Sequence, residues 1–146
     1  MISSLTSSAI VIDTSAVIAL TNPSDKFHQQ SQYFFKNTRS VLWILLNATT
    51  HETFTRLRYN IDLKTALNTY DWLRSKPFRI INFDMSDEKE ARVLLQKYQD
   101  QKFSFHDALC AAMMLRIGMF RIFTFDKDFW TMGFQVEPGI TGANIS

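Results

Sequence analysis

Glycine, proline and cysteine are all scarce in this sequence. It has four Gly and three Pro among 146 residues, and this scarcity argues against an all-β fold, whose many turns need both residue types. The single cysteine, Cys110, excludes an internal disulfide and fits a reducing compartment. We interpret it as a buried core thiol.

Long apolar runs and a strong net charge are also absent. No apolar run approaches the roughly 20 residues that span a bilayer, and the opening "MISSLTSSAIVID" has no Lys or Arg of the kind that begins a signal peptide. We therefore expect a cytoplasmic protein without a membrane segment. The formal net charge of +2 is too small to indicate nucleic-acid binding by itself.

The remaining composition is that of one globular domain. Hydrophobic residues make up 46 % of the chain and charged residues 21 %, which excludes a disordered chain. The length fits a single domain, and neither a linker nor an internal repeat divides it. We predict a polar N-terminal lead-in over residues 1–8 and a single domain over residues 9–146.

Apolar, β-branched segments alternate with helical stretches along nearly the whole chain. Five segments read as strands: "AIVI", "SVLWILL", "FRIINF", "FRIFTF" and "FQVEPG". Continuous apolar strands separated by helices are typical of α/β folds with a mostly parallel sheet and right-handed crossovers. The pattern therefore predicts an α/β domain.

Capping residues mark several predicted helix ends. Ser24, Asp62, Ser86 and Ser104 each precede a helical stretch and are residue types that accept a hydrogen bond from the first turn. Gly118 follows the apolar stretch "SFHDALCAAMMLRI" and is the usual residue type just after a helix. We predict these five residues as helix boundaries.

Acidic residues follow two of the predicted strands directly. Asp13 comes after "AIVI" and Asp126 after "RIFTF". Sites in open α/β sheets lie at the carboxyl ends of the strands, where the strand order reverses. If the first and fourth strands are neighbours, these two carboxylates meet at that point.

Two further acids belong to helices that start at the same edge. Glu52 lies early in the helix after the second strand, and Asp107 lies in the first turn of a nearly unbroken apolar helix. A pair of carboxylates at about 4 Å repels by roughly 4 kcal/mol at an effective dielectric near 20. A cluster of four therefore needs protons or cations, and all-oxygen ligands select hard ions such as Mg²⁺ or Mn²⁺.

Each acid also has an explanation that involves no metal. Asp13 and Asp126 can serve as helix caps, and Asp107 can interact with a helix dipole. Glu52 can pair with Arg56 one helical turn away. These alternatives remain open at the level of residue spacing.

Four segments of the chain resemble known motifs. "IVIDTSAVIAL", the Glu in "THETFTRL", "SFHDALCAAMML" and "IFTFDKDFW" are similar, in order, to the four acidic motifs of the PIN domain, and above all to those of small VapC-type toxins. The resemblance covers nearly the whole chain, from about Ala9 to about Pro138. It implies a three-layer α/β/α fold around a parallel five-stranded sheet of order 3-2-1-4-5, in which strands one and four are neighbours.

The resemblance also implies site residues and an activity. The metal-binding acids of the family match Asp13, Glu52, Asp107 and Asp126. The hydroxyl residues near the first and fourth acids, and a further acid of variable role, match Thr14, Ser15, Thr124 and Asp128. The implied activity is Mg²⁺- or Mn²⁺-dependent endonucleolytic cleavage of RNA. The implied partners are a small antitoxin protein and a second copy of the chain in a homodimer.

Basic residues near the predicted acidic site are candidates for holding RNA. We select Arg56, Arg58 and Lys127, although a solvated surface explains such residues equally well.

Two other functions remain as alternatives. One is a PIN-fold module that binds RNA or protein without cutting. The other is a haloacid-dehalogenase-like phosphohydrolase, which has a second Asp two residues after the first, where this chain has Ser15.

Overall fold

A computed structural model describes residues 8–139 of the chain. The predicted lead-in lies outside the described residues except for Ser8, and so do residues 140–146 of the predicted domain. We describe the fold within these bounds.

The described chain forms one five-stranded sheet in which every pairing is parallel. The strands are β1 Ala9–Ile12, β2 Leu42–Leu46, β3 Phe78–Ile81, β4 Arg121–Phe123 and β5 Gln135–Glu137. Their order across the sheet is β3-β2-β1-β4-β5. The predicted α/β class and the order 3-2-1-4-5 are both confirmed.

Helices connect the strands and cover both faces of the sheet. They are α1 Thr14–Thr21, α2 His28–Asn37, α3 Asn47–Asn60, α4 Leu63–Leu73, α5 Met85–Lys97, α6 Phe105–Ile117 and α7 Lys127–Thr131. One apolar cluster joins one face of the sheet to α5 and α6, and another joins the opposite face to α1 and α2. This is the predicted three-layer arrangement.

The central strand β1 is buried on both faces, as its unbroken apolar sequence predicts. Ala9 and Val11 belong to the cluster with α6, whereas Ile10 and Ile12 belong to the cluster with α1. Successive side chains of a strand point to opposite faces, which produces this alternation. Full burial of each large aliphatic side chain contributes about 1.5–3 kcal/mol to folding.

Three of the predicted helix boundaries are confirmed. The side chain of Asp62 accepts a hydrogen bond from the backbone N–H of Thr65 at 2.7 Å. Ser104 accepts one from the N–H of Asp107 at 3.0 Å. Gly118 ends α6 with φ 73°, a left-handed conformation that glycine adopts without strain.

The prediction of Ser24 as a cap is wrong. Residues 22–27 form turns, in which the Asp25 side chain accepts the N–H of Phe27 at 2.8 Å and the Asn22 side chain accepts that of Ser24 at 3.0 Å. These bonds satisfy the backbone locally, and the helix begins only at His28.

The prediction of Ser86 as a cap is also wrong, because the cap lies two residues earlier, at Asp84, and α5 begins at Met85. Asp84 caps this helix by accepting from the N–H of Asp87 at 3.0 Å, and the Asp87 side chain accepts in return from the N–H of Asp84 at 3.0 Å. This reciprocal capping box leaves Ser86 inside the first turn, where its hydroxyl donates to Asp84.

An ion pair between the buried Asp87 and the exposed Arg116 joins α5 to the C-terminal end of α6. The Nε and a terminal nitrogen of Arg116 donate to the two carboxylate oxygens of Asp87 at 2.7 and 2.9 Å. The Asp87 residue is only 1 % exposed. The pair therefore fixes the helix that carries Asp107 in its first turn.

None of the helices found between residues 8 and 139 has the length and apolar character needed to cross a membrane.

Removing the Arg116 charge should destabilise the fold strongly. We expect Arg116→Met to lower the free energy of unfolding by about 2–4 kcal/mol, because it leaves the buried Asp87 carboxylate without its cation. Arg92→Met, at an exposed arginine of α5 whose side chain donates a hydrogen bond to Gln96, is the matched control and should cost less than about 0.5 kcal/mol. Urea unfolding measures both; equal effects would contradict a stabilising role for the pair.

Candidate active site

The pairing of β1 with β4 creates the centre of the site. Ile12 lies beside Phe123 in the sheet, and the N–H of Asp13 continues the ladder by donating to the carbonyl of Phe123 at 3.0 Å. The first residue after each strand then meets the other, because the hydroxyl of Thr124 donates to Oδ2 of Asp13 at 2.9 Å. The predicted pairing of the first and fourth strands is confirmed, and Asp13 and Asp126 both lie at this edge of the sheet.

Ser15 extends these contacts to the loop after β4. Its hydroxyl is 3.2 Å from Oδ2 of Asp13 and 3.0 Å from Oγ1 of Thr124. The backbone N–H of Phe125 donates to the Ser15 hydroxyl at 2.9 Å, and that of Asp126 donates to Thr124 Oγ1 at 3.0 Å. Two of the predicted hydroxyl residues, Ser15 and Thr124, thus bind both Asp13 and the backbone of the segment that carries Asp126.

Asp13 occupies the cap position of α1 without capping it. Its side chain makes no hydrogen bond to the first turn of that helix, so the capping explanation for this residue is wrong. The residue is 3 % exposed, and its Oδ1 is a buried atom with no hydrogen-bond partner among the described residues. A buried carboxylate oxygen without a partner is costly, which points to a missing cationic ligand.

The first turn of α6 brings Asp107 and His106 to Asp13. Within residues 8–139, two groups of three side chains place their potential ligand atoms within 4.8 Å of one another. They are Asp13, His106 and Asp107, and Asp107, Asp126 and Asp128. Asp107 belongs to both groups, so it connects the acid after β1 with the acids after β4.

Asp126 combines a structural role with its place in this cluster. Its Oδ1 accepts a hydrogen bond from the N–H of Asp128 at 2.9 Å, which caps the short helix α7. Capping leaves the second carboxylate oxygen available. The capping explanation is therefore correct for Asp126 but does not exclude a role in metal binding.

Glu52 is positioned differently from the other predicted acids. Its Oε2 lies 2.5 Å from Nδ1 of His106 and 3.5 Å from the hydroxyl of Thr14. The ion pair of this carboxylate among the described residues is thus with His106 and not with Arg56. The other ring nitrogen of His106 is 2.9 Å from the hydroxyl of Thr49.

His106 is the site residue for which the sequence pattern gives no role. It contacts Glu52 and also lies 3.7 Å from Oδ1 of Asp107. Its place directly before Asp107 was the available signal, but the contact with Glu52 requires α3 and α6 to meet in the fold.

The crowding of acids is visible in their protonation. Burial raises the pKa of Asp13 from 3.8 to about 6, and the negative charge of Asp107 adds to this rise. Burial also raises the pKa of Asp126, although the N–H of Asp128 opposes the change. Burial and the charge of Asp126 raise the pKa of Asp128 to about 6. These carboxyl groups are therefore harder to ionise together than separately.

The environment of His106 acts in the opposite direction. Burial disfavours its charged form, but contacts with the carboxylates of Asp107 and Glu52 outweigh burial and raise the pKa of His106 to about 10. The imidazolium thus compensates part of the negative charge.

The donor atoms of the site suit a hard divalent cation. Carboxylate oxygens of Asp13, Asp107, Asp126 and Asp128 lie in two groups that share Asp107, and Oδ1 of Asp13 has no hydrogen-bond partner within residues 8–139. Oxygen-rich ligand sets of this kind favour Mg²⁺ or Mn²⁺, and an ion would relieve the repulsion between the carboxylates. The residues present therefore fit such an ion.

Two of the three selected basic residues act on this site electrostatically. Burial raises the pKa of both Asp126 and Asp128, and the charges of Arg56 and Lys127, respectively, oppose a small part of that rise. Both side chains are exposed. Arg58 is an exposed residue two positions after Arg56 on α3.

The parallel 3-2-1-4-5 sheet with an acidic centre at its switch point defines a PIN-like domain. The chain belongs to the PIN-domain family, since the sequence profile of the PIN domain matches residues 10–135. This membership decides against the haloacid-dehalogenase alternative.

The chain is similar in sequence to VapC20, a protein from two strains of one bacterium. The chain is 28 % identical over 130 residues to the 23S rRNA-specific endonuclease VapC20 of Mycobacterium tuberculosis, strain CDC 1551 / Oshkosh. The match covers 88 % of this chain and 98 % of the relative, and the VapC20 of strain ATCC 25618 / H37Rv matches to the same extent.

Solved structures agree with this assignment. The crystal structure of M. tuberculosis VapC20, described as a sarcin-ricin loop cleaving toxin, has a TM-score of 0.81 and 26 % identity, covering 86 % of this chain and 95 % of that one. A toxin–antitoxin complex from Klebsiella pneumoniae has a TM-score of 0.64 and 15 % identity, covering 93 % and 99 %. VapBC2 from Rickettsia felis, bound to a promoter DNA fragment, has a TM-score of 0.64 and 14 % identity, covering 88 % and 97 %. The last two show a shared fold.

Neutralising Asp13 should stabilise the metal-free protein. In EDTA near neutral pH, we expect Asp13→Asn to raise the free energy of unfolding by roughly 1–3 kcal/mol, because it removes a buried charge whose pKa folding raises. The parent should be stabilised by added Mn²⁺, and the variant much less.

The gain from Asp13→Asn should also depend on pH. Because folding raises this pKa, the carboxyl group favours the folded state below its ordinary value of 3.8, and that contribution is lost as the pH rises through about 6. The stability difference between variant and parent should therefore be larger near neutral pH than near pH 4. Thermal unfolding measures it, and Asp71→Asn, at an exposed residue of α4, is the control; a gain that does not vary with pH would contradict this explanation.

Proposed function

We propose that this chain is a divalent-cation-dependent endoribonuclease of the VapC type. The observation that carries the proposal is the buried carboxylate of Asp13. Its Oδ2 is contacted by the hydroxyls of Thr124 and Ser15. Its Oδ1 has no hydrogen-bond partner among the described residues, although Asp107 belongs to the same ligand group. The likeness to VapC20 over most of both chains supports RNA as the substrate class.

Asp13, Asp107 and Asp126 are the residues that would hold the ion, with Glu52 orienting water or contacting a second ion. Bound Mg²⁺ or Mn²⁺ supplies the Lewis acidity that activates water and stabilises the charge developing on the scissile phosphate. Asp128 adds negative charge at the rim of the same cluster. Thr124 and Ser15 keep the Asp13 carboxylate in one orientation, and Thr14 contacts Glu52.

Arg56, Arg58 and Lys127 would hold the RNA backbone beside the acids. Exposed cations near an acidic site offset its repulsion of the phosphates and shorten the search for substrate. The electrostatic effect of Arg56 on Asp126 and of Lys127 on Asp128 supports this role for two of them.

The biological setting follows from the same resemblance. We propose that the chain is the toxin of a toxin–antitoxin pair, that a small antitoxin binds it, and that it forms a homodimer. The likeness to VapC20 supports the toxin role.

RNA cleavage tests the catalytic proposal directly. The parent should cut ribosomal RNA fragments with Mg²⁺ or Mn²⁺ and lose this activity in EDTA. Asp13→Asn should lower the rate at least about a hundredfold while the fold is retained, because the change is nearly isosteric but removes a charged ligand. Gel analysis of cleavage products measures the rate, and Asp71→Asn should cut like the parent.

The same experiment distinguishes a nuclease from a PIN-fold module that binds RNA without cutting it. If Asp13→Asn cuts at the parent rate, the proposed site is wrong. If the folded parent binds RNA but never cuts it with either ion, the chain is a non-catalytic binding module.

Salt dependence tests the basic residues. In the Asp13→Asn background, Arg56→Gln should weaken RNA binding and reduce the slope of log affinity against log salt by about one unit, as expected for one lost phosphate contact. Arg58→Gln and Lys127→Gln are compared in the same way. The control is Arg39→Gln, an exposed residue before β2 and therefore at the opposite edge of the sheet. If Arg39→Gln and Arg56→Gln have equal effects, the contact is not localised at the site.

A further inference from the structure

Two buried side-chain atoms in the part of the chain that the structure describes lack a hydrogen-bond partner, and both belong to the same cluster. They are Oδ1 of Asp13 and Nδ1 of His106. Together with Asp107, these residues form one of the two groups whose potential ligand atoms lie within 4.8 Å of one another. Buried polar atoms are nearly always paired, so two unpaired atoms in one such group point to a ligand that both would contact.

The other ring nitrogen of His106 is placed as in a metal-binding histidine. Nε2 lies 2.9 Å from the hydroxyl of Thr49, which is a fully buried residue of α3. A histidine that binds a metal through one nitrogen almost always uses its other N–H in a hydrogen bond, which fixes the tautomer and the orientation of the ring. When Nε2 carries the proton and donates it to Thr49, the lone pair of Nδ1 is available to a cation.

The surroundings of Nδ1 require a positive charge. Nδ1 is 2.5 Å from Oε2 of Glu52 and 3.7 Å from Oδ1 of Asp107, and the close contact with Glu52 lacks the geometry of a hydrogen bond. Although burial opposes it, contacts with Asp107 and Glu52 raise the pKa of His106 to about 10, so a proton supplies this charge in the metal-free protein. A bound ion would take the place of that proton, because histidine binds metals in its neutral form.

We propose that His106 is a direct metal ligand through Nδ1, and that with Asp13 and Asp107 it forms a mixed nitrogen and oxygen site that favours Mn²⁺ over Mg²⁺. The inference rests on the proposed function, which supplies an ion at Asp13 and Asp107. Mg²⁺ is bound by oxygen ligands and water, whereas imidazole nitrogen is a common ligand of transition-metal ions. The other group, formed by Asp107, Asp126 and Asp128, offers oxygen ligands alone and carries no such preference.

An electrostatic role for His106 is the competing arrangement. The ring would then keep its Nδ1 proton and compensate the carboxylates from beside the ion, without a bond to it. The two arrangements differ in a measurable way, because a nitrogen bonded directly to Mn²⁺ shares its unpaired electron density and a protonated ring nearby does not.

Pulsed electron paramagnetic resonance of the Mn²⁺-loaded protein tests the proposal without measuring cleavage. The parent should show the hyperfine coupling of a directly bound nitrogen, and labelling its histidines with the heavy nitrogen isotope should change that coupling. His106→Gln should abolish the nitrogen signal, because an amide side chain binds metal ions through its oxygen. His51→Ala, at an exposed histidine adjacent to Glu52, is the matched control and should keep the signal.

Competition between the two ions measures the selectivity. The ratio of Mn²⁺ affinity to Mg²⁺ affinity should fall at least about tenfold in His106→Gln, because the variant loses the nitrogen ligand. Thr49→Val keeps the ring but removes its hydrogen bond, and should weaken Mn²⁺ binding by about 10–100-fold. Titration of the signal of free Mn²⁺, with and without Mg²⁺, measures both effects.

The outcomes separate this proposal from the proposed function. A parent that binds Mn²⁺ without a nitrogen coupling, or a coupling that persists in folded His106→Gln, would overturn the role of His106 and leave the nuclease proposal intact. A parent that binds neither ion would refute the metal site of the proposed function as well. If His106→Gln does not fold, as judged by circular dichroism, the isotope-labelled His28→Ala/His51→Ala double variant decides, because His106 is then the only histidine left in the sequence.

Discussion

The parallel pairing of β1 with β4 is the interaction on which the site depends. It places the end of one strand directly beside the end of the other, and the hydroxyl of Thr124 donates a hydrogen bond to Asp13 across the two ends. Ser15 and the backbone of residues 125 and 126 then attach to this bond. Without that pairing, Asp13 and Asp126 would belong to separate surfaces, and Asp107 could not share a ligand group with each of them.

The acidic cluster lowers the stability of the metal-free fold. Burial and mutual repulsion raise the pKa of Asp13 and Asp126, so the folded protein holds charges that water would solvate better. The hydroxyls around Asp13 and the imidazole of His106 compensate part of this energy. The uncompensated part would strengthen the binding of the divalent cation proposed above. A chain that neutralised these carboxylates fully with its own side chains would bind metal poorly.

The sequence predicts the architecture better than the details of the site. Alternating apolar strands and helices indicate an α/β fold, and the PIN resemblance supplies the strand order that brings Asp13 to Asp126. Helix starts are predicted well where one capping residue stands alone, as at Asp62. They fail at Ser86, because the neighbouring Asp84 caps the helix instead. They fail at Ser24, because Asn22 and Asp25 bind the backbone in turns that precede the helix. The role of His106 is not visible in the sequence, since its partners Thr49 and Glu52 lie on a different helix and meet it only through tertiary packing.

The order of the strands has a consequence for synthesis of the chain. Asp13 and Thr124 are separated by 111 positions, and the strand that completes the centre is the fourth of five. During translation, Asp13 emerges early, but it meets Thr124 only after β4 has left the ribosome and paired with β1. A nascent chain lacking β4 therefore cannot hold a cation between its first and last acids. The candidate site is therefore complete only in a chain whose first and fourth strands have paired.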